Sequence, residues 1–154
     1  MVPLPNAQPE AALDDLAMTL VQQASLLTRL VFRHADAGMS RSEASLLAAL
    51  RGGPQRITGL TEYEGLAQPT VTLLVKRLEK RGWVRRERVL ADGRAVLVSL
   101  TDEGRSAVDE LRGRFRPLLR GSLAALPDEQ VTALEQATDA MASLVNELQK
   151  ESTR

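Results

Sequence analysis

The 154-residue sequence predicts a mainly α-helical fold with one small β-hairpin. Along most of the chain, apolar residues recur at spacings of three and four, which is the pattern of one face of an α-helix. From Trp83 to Leu100 the period changes to two, as in a β-strand, and Asp92-Gly93 divides this segment into two halves. That dipeptide is a strong signal for a tight hairpin turn, because glycine tolerates the positive φ that such turns need.

The first predicted helix covers residues 11–34. Asp14 and Asp15 fall in its first turn, where the helix dipole favours negative charge. Residues 1–10 include three prolines and predict a flexible arm before the helix. The apolar stripe of the helix repeats at spacings of four and three and consists of Leu13, Ala17, Leu20, Ala24, Leu27 and Val31.

A second helix is predicted to start at Ser40. Ser40 and Glu43 have the spacing of a capping box, in which each side chain bonds the backbone N–H of the other residue. Gly52-Gly53-Pro54 is expected to end this helix. A short helix from Thr58 to Glu64 follows, and Gly65 ends it.

The next helix is predicted from about Pro69 to Arg81. Proline is tolerated at a first helical position, because the N–H there has no partner within the helix, and Gly82 supplies the C-cap. With about 100° of rotation per residue, one side of this helix is apolar and must face the core: Val71, Leu74, Val75 and Leu78.

The segment after the hairpin predicts two more helices. Thr101 caps the first of them, and Pro117 inside its apolar pattern is expected to kink or shorten it. Pro127-Asp128-Glu129 opens the last helix. Its apolar seam follows a heptad repeat through Val131, Leu134, Thr138, Met141, Val145 and Leu148.

Charge is distributed unevenly, although the whole chain is neutral. The net charge is −2 over residues 1–50, +5 over residues 51–100 and −3 over residues 101–154. Eight Lys and Arg residues fall between Lys76 and Arg94, against three acidic ones. A cationic surface of this kind indicates a polyanionic partner. The alternative is a solvated surface of mixed charge.

A helix with a cationic outer face, followed at once by a basic hairpin, is the arrangement of a winged helix-turn-helix. The major groove of DNA admits such a helix, whose first residues touch base edges. At the start of the helix, Pro69 lies among three residues assigned to base readout, Gln68, Thr70 and Thr72. The cations Lys76, Arg77 and Lys80 are assigned to phosphates or guanine. Leu73 on the same face either contacts a thymine methyl or packs against a neighbouring helix.

The hairpin is expected to act as the wing. Arg94 follows its turn, and a narrow minor groove attracts an inserted arginine. Asp92 is placed to orient Arg94 by a charged hydrogen bond, and Arg86 and Arg88 on the first strand add positive charge. The alternative is an ordinary hairpin turn with a solvated arginine.

Three motifs follow one another in order: QPTVTLLVKRLEKRGWVRR at 68–86, DGR at 92–94 and LTDEG at 100–104. With them, the chain resembles the MarR family of winged-helix transcriptional regulators over about residues 11–149. The resemblance implies a homodimer that binds a palindromic DNA operator. In many members, a small, often aromatic or lipophilic ligand binding between the dimerisation and DNA-binding lobes releases the DNA. It also implies base contacts by Thr70 and Thr72 and an Asp-x-Arg wing formed by Asp92 and Arg94.

The expected organisation has four parts: a flexible arm (1–10), an N-terminal dimerisation helix (11–37), a winged helix-turn-helix domain (38–100) and C-terminal helices that complete the dimerisation lobe (101–150). The apolar seams of the end helices predict a dimer, because such stripes are rarely left in water. Packing of the first helix on the last within one chain is the alternative. The residues assigned to dimerisation are Leu13, Leu20, Leu134, Met141, Val145 and Leu148.

A ligand pocket is expected near the junction of the lobes, lined by Phe32, His34, Met39 and Phe115. The alternatives are that the aromatic residues and the methionine belong to the core and that the histidine lies over the last carbonyls of its helix. No cofactor and no metal site is predicted, since the chain has one histidine and no cysteine. The absent cysteine also excludes a disulfide framework and a thiol-based oxidant sensor.

An enzyme is not expected, because the sequence shows no nucleophile–base pairing, metal-ligand cluster or glycine-rich phosphate loop. No apolar run approaches the roughly 18 residues of a membrane span, so the expected location is the cytoplasm, in association with the nucleoid. Three hypotheses remain open: a ligand-responsive, operator-specific repressor; a DNA binder without a small-molecule effector; and a winged-helix module that binds proteins.

Overall fold

The computed structural model describes residues 10–88 and 96–152 of the chain. Helices account for most of these residues, as the periodicity predicts. In chain order they are α1 (Glu10–His34), α2 (Arg41–Ala49), α3 (Ile57–Glu64), α4 (Gln68–Lys80), α5 (Asp102–Ala124) and α6 (Asp128–Ser152). A single 3₁₀ turn, Leu50–Gly52, extends α2. The predicted mainly helical fold class is confirmed.

A three-stranded antiparallel sheet accompanies the helices, with β1 (Gln55–Arg56), β2 (Val84–Arg88) and β3 (Val96–Leu100) in the order β1-β3-β2. The hairpin strands β2 and β3 pair in a regular register, with Val84 opposite Leu100. Sequence reasoning missed β1, because two exposed residues carry no periodicity. The predicted Asp92-Gly93 turn lies outside the described residues.

The predicted capping box forms at the start of α2, and the predicted glycines end α3 and α4. The Glu43 N–H donates to Ser40 Oγ at 3.2 Å, while the Ser40 N–H donates to Glu43 Oε2 at 2.8 Å. At the C-terminal ends, Gly65 and Gly82 have φ values of 62° and 73°, which glycine adopts without a steric cost. These caps keep α2, α3 and α4 short enough to pack around one core.

The core lies inside the winged helix-turn-helix. The apolar side of α4 faces it, as predicted from the helical period. Leu46 and Leu47 of α2, Leu60 of α3 and Val98 of β3 are completely buried against that side. The buried cluster comprises Leu46, Leu47, Leu50, Leu60, Val71, Leu74, Val75, Leu78, Val84, Val98, Leu100 and Val108.

The helix α5 begins at the predicted cap and continues further than expected. The Gly104 N–H donates to Thr101 Oγ1 at 3.0 Å, which satisfies one of the unpaired donors of the first turn. Pro117 was expected to kink or shorten the helix, but α5 runs through it to Ala124, so the shortening was wrong. Pro117 and Gly113, one turn earlier, are both exposed, so water can satisfy the Gly113 carbonyl that lacks an N–H partner.

The long end helices leave most of their apolar side chains in water. On α1, Leu13 retains 51% of its accessible surface, and on α6, Leu148 retains 55%. No residue of α6 is buried within the part of the chain that the structure describes. None of the described helices is both long and apolar enough to cross a lipid bilayer.

Candidate nucleic-acid interface and adjoining cavity

The helices α3 and α4 form a helix-turn-helix, joined by the three residues 65–67. Gly65 in the left-handed conformation ends α3, and Ala67 in an extended conformation precedes α4. Proline at the first turn of α4 is compatible with the helix, as expected. Because the opposite side of α4 is buried in the core, the orientation of its outer face is set by packing.

The residues assigned to DNA contact lie together on that outer face. Thr72 is half-buried, and the others are exposed: Gln68, Pro69, Thr70, Leu73, Lys76, Arg77 and Lys80. Leu73 retains 50% of its accessible surface, so the neighbouring helices of the chain do not cover it. The face therefore presents hydroxyl groups and one apolar side chain near its N-terminal end and cations toward its C-terminal end.

The cations near α4 fall into two groups. Among the described residues, Lys76, Arg77, Lys80 and Arg88 form no ion pair. Arg86, which was assigned to the wing, pairs with Glu79 on α4 at 2.6 Å. Arg85 and Glu87 pair with each other at 2.8 Å. Fewer positive charges are thus free to meet a polyanion than the sequence count suggests.

Arg81 belongs to the engaged group. Its Nη2 donates to the carbonyl oxygen of Gly38 at 2.9 Å, and its Nη1 lies 3.9 Å from Glu43 Oε2. Its guanidinium carbon lies 3.5 Å from the ring centroid of Trp83, which is cation–π geometry. The predicted wing residues Asp92 and Arg94 lie outside the described residues.

A cavity of about 580 Å³ lies between α1, α2 and α5, with Glu64 at the end of α3 also in its lining. Phe32 and Phe115 meet at its wall in an edge-to-face arrangement, with ring centroids 5.1 Å apart. The other two residues assigned to a pocket are not among those that line it. Met39 packs against the core, and His34 is exposed at the end of α1.

The charged lining of the cavity comes from three residues that sequence reasoning missed, Arg41, Arg112 and Glu64. They lie on three different helices, and no local motif joins them. Glu64 Oε1 is buried without a hydrogen-bond partner. Burial raises the pKa of the Glu64 carboxyl, and a hydrogen bond with Ser45 partly opposes that shift. The cavity thus combines an aromatic wall, two guanidinium groups and a carboxyl group whose pKa is raised.

The MarR family model matches residues 39–96, which span α2 to the start of β3. The HTH-type transcriptional regulator YwoH of Bacillus subtilis (strain 168) is 33% identical over 120 residues, which are 74% of this chain and 87% of YwoH.

Two solved structures of known proteins are similar to this fold. A MarR family protein from Bacillus stearothermophilus superposes with a TM-score of 0.74 at 22% identity, covering 91% of this chain and 99% of that one. BpsR of Bordetella bronchiseptica, whose DNA binding is regulated by 6-hydroxynicotinic acid, has a TM-score of 0.56 at 25% identity. That superposition covers 79% of this chain and 98% of BpsR.

Proposed function

The chain belongs to the MarR family of winged-helix transcriptional regulators, and we propose that it is a homodimeric repressor that binds a palindromic operator. In this proposal α4 reads the major groove and the hairpin contacts the adjacent minor groove. The observation that carries the proposal is the outer face of α4. Its opposite face is buried, so hydroxyl groups and unpaired cations are presented outward on a rigid helix.

Roles on that face follow from the chemistry of the side chains. Gln68, Thr70 and Thr72 supply hydrogen-bonding groups at the N-terminal end, where a recognition helix meets base edges. Lys76 and Lys80 lie one turn apart toward the other end and suit phosphate contacts. Leu73 suits the methyl group of a thymine. Arg88, Asp92 and Arg94 are assigned to the wing.

The exposed seams of α1 and α6 support the homodimer. Soluble monomers rarely leave contiguous apolar surface of this extent in water. Six residues of these seams are assigned to dimerisation. Four of them are at least two-fifths exposed: Leu13, Leu134, Val145 and Leu148. Two copies joined through these helices would place their α4 helices on successive major grooves, about 10 base pairs apart.

Replacing Met141 on the α6 seam with glutamate is expected to separate the dimer. The dissociation constant should rise at least about 100-fold, because an uncompensated charge buried in an interface costs about 3–5 kcal/mol. Light scattering coupled to size-exclusion chromatography measures the mass directly. Gln136→Glu adds the same charge on the opposite side of α6 and should leave the dimer intact. An unchanged dimer in the Met141→Glu variant would exclude this seam as the interface.

We propose a small aromatic acid as the effector of the repressor. The cavity between α1, α2 and α5 has a volume typical of small-molecule sites, and its two arginines suit a carboxylate beside the aromatic wall. A hydroxyl group on the ring would hydrogen-bond the Glu64 carboxyl group, which also lines the cavity. The DNA binding of BpsR is regulated by a ligand of this chemistry. A DNA binder without an effector is the second candidate.

One titration tests the proposed function. Purified protein is added to the DNA upstream of its own gene and to a random duplex of equal length, at two salt concentrations, with and without 6-hydroxynicotinic acid. We expect preference for the upstream DNA, a log–log salt slope of roughly −0.9 per phosphate neutralised, and weaker binding with the acid. Specific binding that the acid leaves unchanged would favour a regulator without this effector. A slope near zero would favour a protein-interaction module.

A further inference from the structure

The connection between α1 and α2, residues 35–40, is held by side chains from two distant parts of the chain. Arg81, directly after the recognition helix α4, donates to the Gly38 carbonyl oxygen. Arg114 on α5 donates to the Asp36 carbonyl oxygen. The connection is also conformationally unusual, because Asp36 has a φ of 45°, a region that non-glycine residues seldom occupy. Its shape therefore depends on both arginines.

The same connection adjoins the cavity. Phe32, which lines the cavity, lies one turn of α1 before Asp36. Phe115 and Arg112, which also line the cavity, lie on α5 beside Arg114. Arg41 follows the connection directly and lines the cavity as well. A change in the separation of α1 and α5 at the Phe32–Phe115 contact therefore also acts on the bond between Arg114 of α5 and the Asp36 carbonyl oxygen of the connection.

Arg81 joins the connection to the end of α4 through several contacts. Its guanidinium group is shared between the Gly38 carbonyl, the Glu43 carboxylate and the face of the Trp83 ring. Glu43 is itself held by the Ser40 backbone in the capping box of α2. A displacement of the connection therefore changes the contacts that Arg81 makes beside the end of α4.

We infer that Arg81 is a positioning residue that transmits the state of the cavity to the recognition helix. This inference rests on the proposed function and deepens it, because it names the route by which an effector would change DNA affinity. Arg81 acts through the backbone of the α1–α2 connection and not by contact with DNA. Energetic coupling between two sites needs an element whose arrangement both sites bias, and the connection contacts Arg114 beside the cavity and Arg81 at the end of α4.

The test fills the cavity by mutation and so needs no ligand. Ala48→Phe fills it from the α2 wall, and Thr28→Phe, from the α1 wall, provides an independent second filling variant. Each is made in the wild-type chain, in Arg81→Met and in Arg51→Met. The Arg51 variant is the matched control, because it removes another arginine tether, the 2.8 Å pair with Asp109, that does not touch the connection.

Two readouts are measured, affinity for the operator and quenching of tryptophan fluorescence by acrylamide. Trp83 is the only tryptophan of the chain, and Arg81 covers its ring, so quenching reports the Arg81 contact without DNA. Filling the cavity should weaken DNA binding about tenfold and increase quenching of Trp83. Both effects should persist in Arg51→Met. In Arg81→Met the loss of affinity should shrink to less than about twofold, and quenching should no longer change.

An equal effect of filling in the Arg81→Met and wild-type chains would overturn the inference, as would filling variants that fold but change neither readout. Circular dichroism checks folding. If both filling variants fail to fold, amide exchange of residues 36–39 with and without operator decides the matter, because coupling is reciprocal. The exchange should then change in the wild type and not in Arg81→Met; equal changes would overturn the inference. A further outcome is that the protein binds no DNA, while filling the cavity still changes the quenching of Trp83 in the wild type and not in Arg81→Met. That result would contradict the proposed function but not the role of Arg81.

Discussion

Replacing Gly104 with alanine is expected to lower the free energy of unfolding by about 3 kcal/mol, the upper range for overpacking a tight site. A Cβ atom at this position would overlap the carbonyl oxygen of Trp83 and lie 2.8 Å from its carbonyl carbon. Trp83 cannot move away freely, because its carbonyl oxygen accepts the Thr101 N–H at 3.1 Å. The Thr101 hydroxyl in turn donates to the Gly82 carbonyl oxygen at 2.5 Å. The clash therefore falls on backbone and not on a flexible side chain.

Gly113 offers a matched control on the same helix. A Cβ added there meets no atom within 4 Å, so Gly113→Ala should stabilise the protein by about 0.5–1 kcal/mol through helix propensity. Urea unfolding followed by circular dichroism measures both variants. Effects of opposite sign in the two variants would locate the close approach of α5 to Trp83. A Gly104→Ala variant as stable as the wild type would mean that α5 packs less closely on the end of α4.

The double variant Lys76→Ala/Lys80→Ala is expected to weaken operator binding at least about 100-fold, since a hydrogen bond to a charged group contributes about 1.5–3 kcal/mol. Both ammonium groups are exposed on the outer face of α4, and neither forms an ion pair within the described part of the chain. If each contacts a phosphate, the log–log salt slope should become shallower by about 2. Binding to random DNA should be weakened by a similar factor, because phosphate contacts carry no sequence information.

The control for this variant changes the net charge equally elsewhere. Arg116→Gln/Arg120→Gln removes two positive charges from α5 near the α5–α6 turn and should leave the salt slope unchanged. Fluorescence anisotropy over a range of salt concentrations gives affinity and slope together, and the dimer mass is checked in parallel. A selective loss on the operator, without loss on random DNA, would reassign the two lysines to base readout. An unchanged salt slope would mean that Lys76 and Lys80 do not contact DNA phosphates.

Much of the fold was predictable from the sequence, because the relevant interactions are local. The Ser40–Glu43 capping box, the Thr101 cap and the apolar side of α4 join residues at most four positions apart. Such contacts form from helical geometry and hydrophobic period alone. The two exceptions are instructive. The strand β1 is too short to show a period, and Pro117 ends no helix because its surroundings are exposed.

The residues of the outer face of α4 were also predictable, since burial of one side of a helix orients the other. Which cations are free to act was not. Arg86 carries the same charge as Lys76 in the sequence, but it pairs with Glu79 on the neighbouring element. The cavity was predicted only through its aromatic residues. Its charged lining, Arg41, Glu64 and Arg112, comes from helices whose mutual arrangement no local pattern records.

The sequence by itself therefore determined the helices, most of their ends, the hairpin strands and the outward face of α4, all of which follow from short-range backbone geometry and the burial of apolar surface. Only the tertiary structure decided the roles of Arg81, Arg114 and Gly104. Arg81 and Arg114 bond carbonyl groups 43 and 78 positions away. A side chain at Gly104 would overlap the backbone of Trp83. Contacts of this range form only when packing has brought the elements together, because the entropy of closing such long loops leaves no preference for them in the unfolded chain.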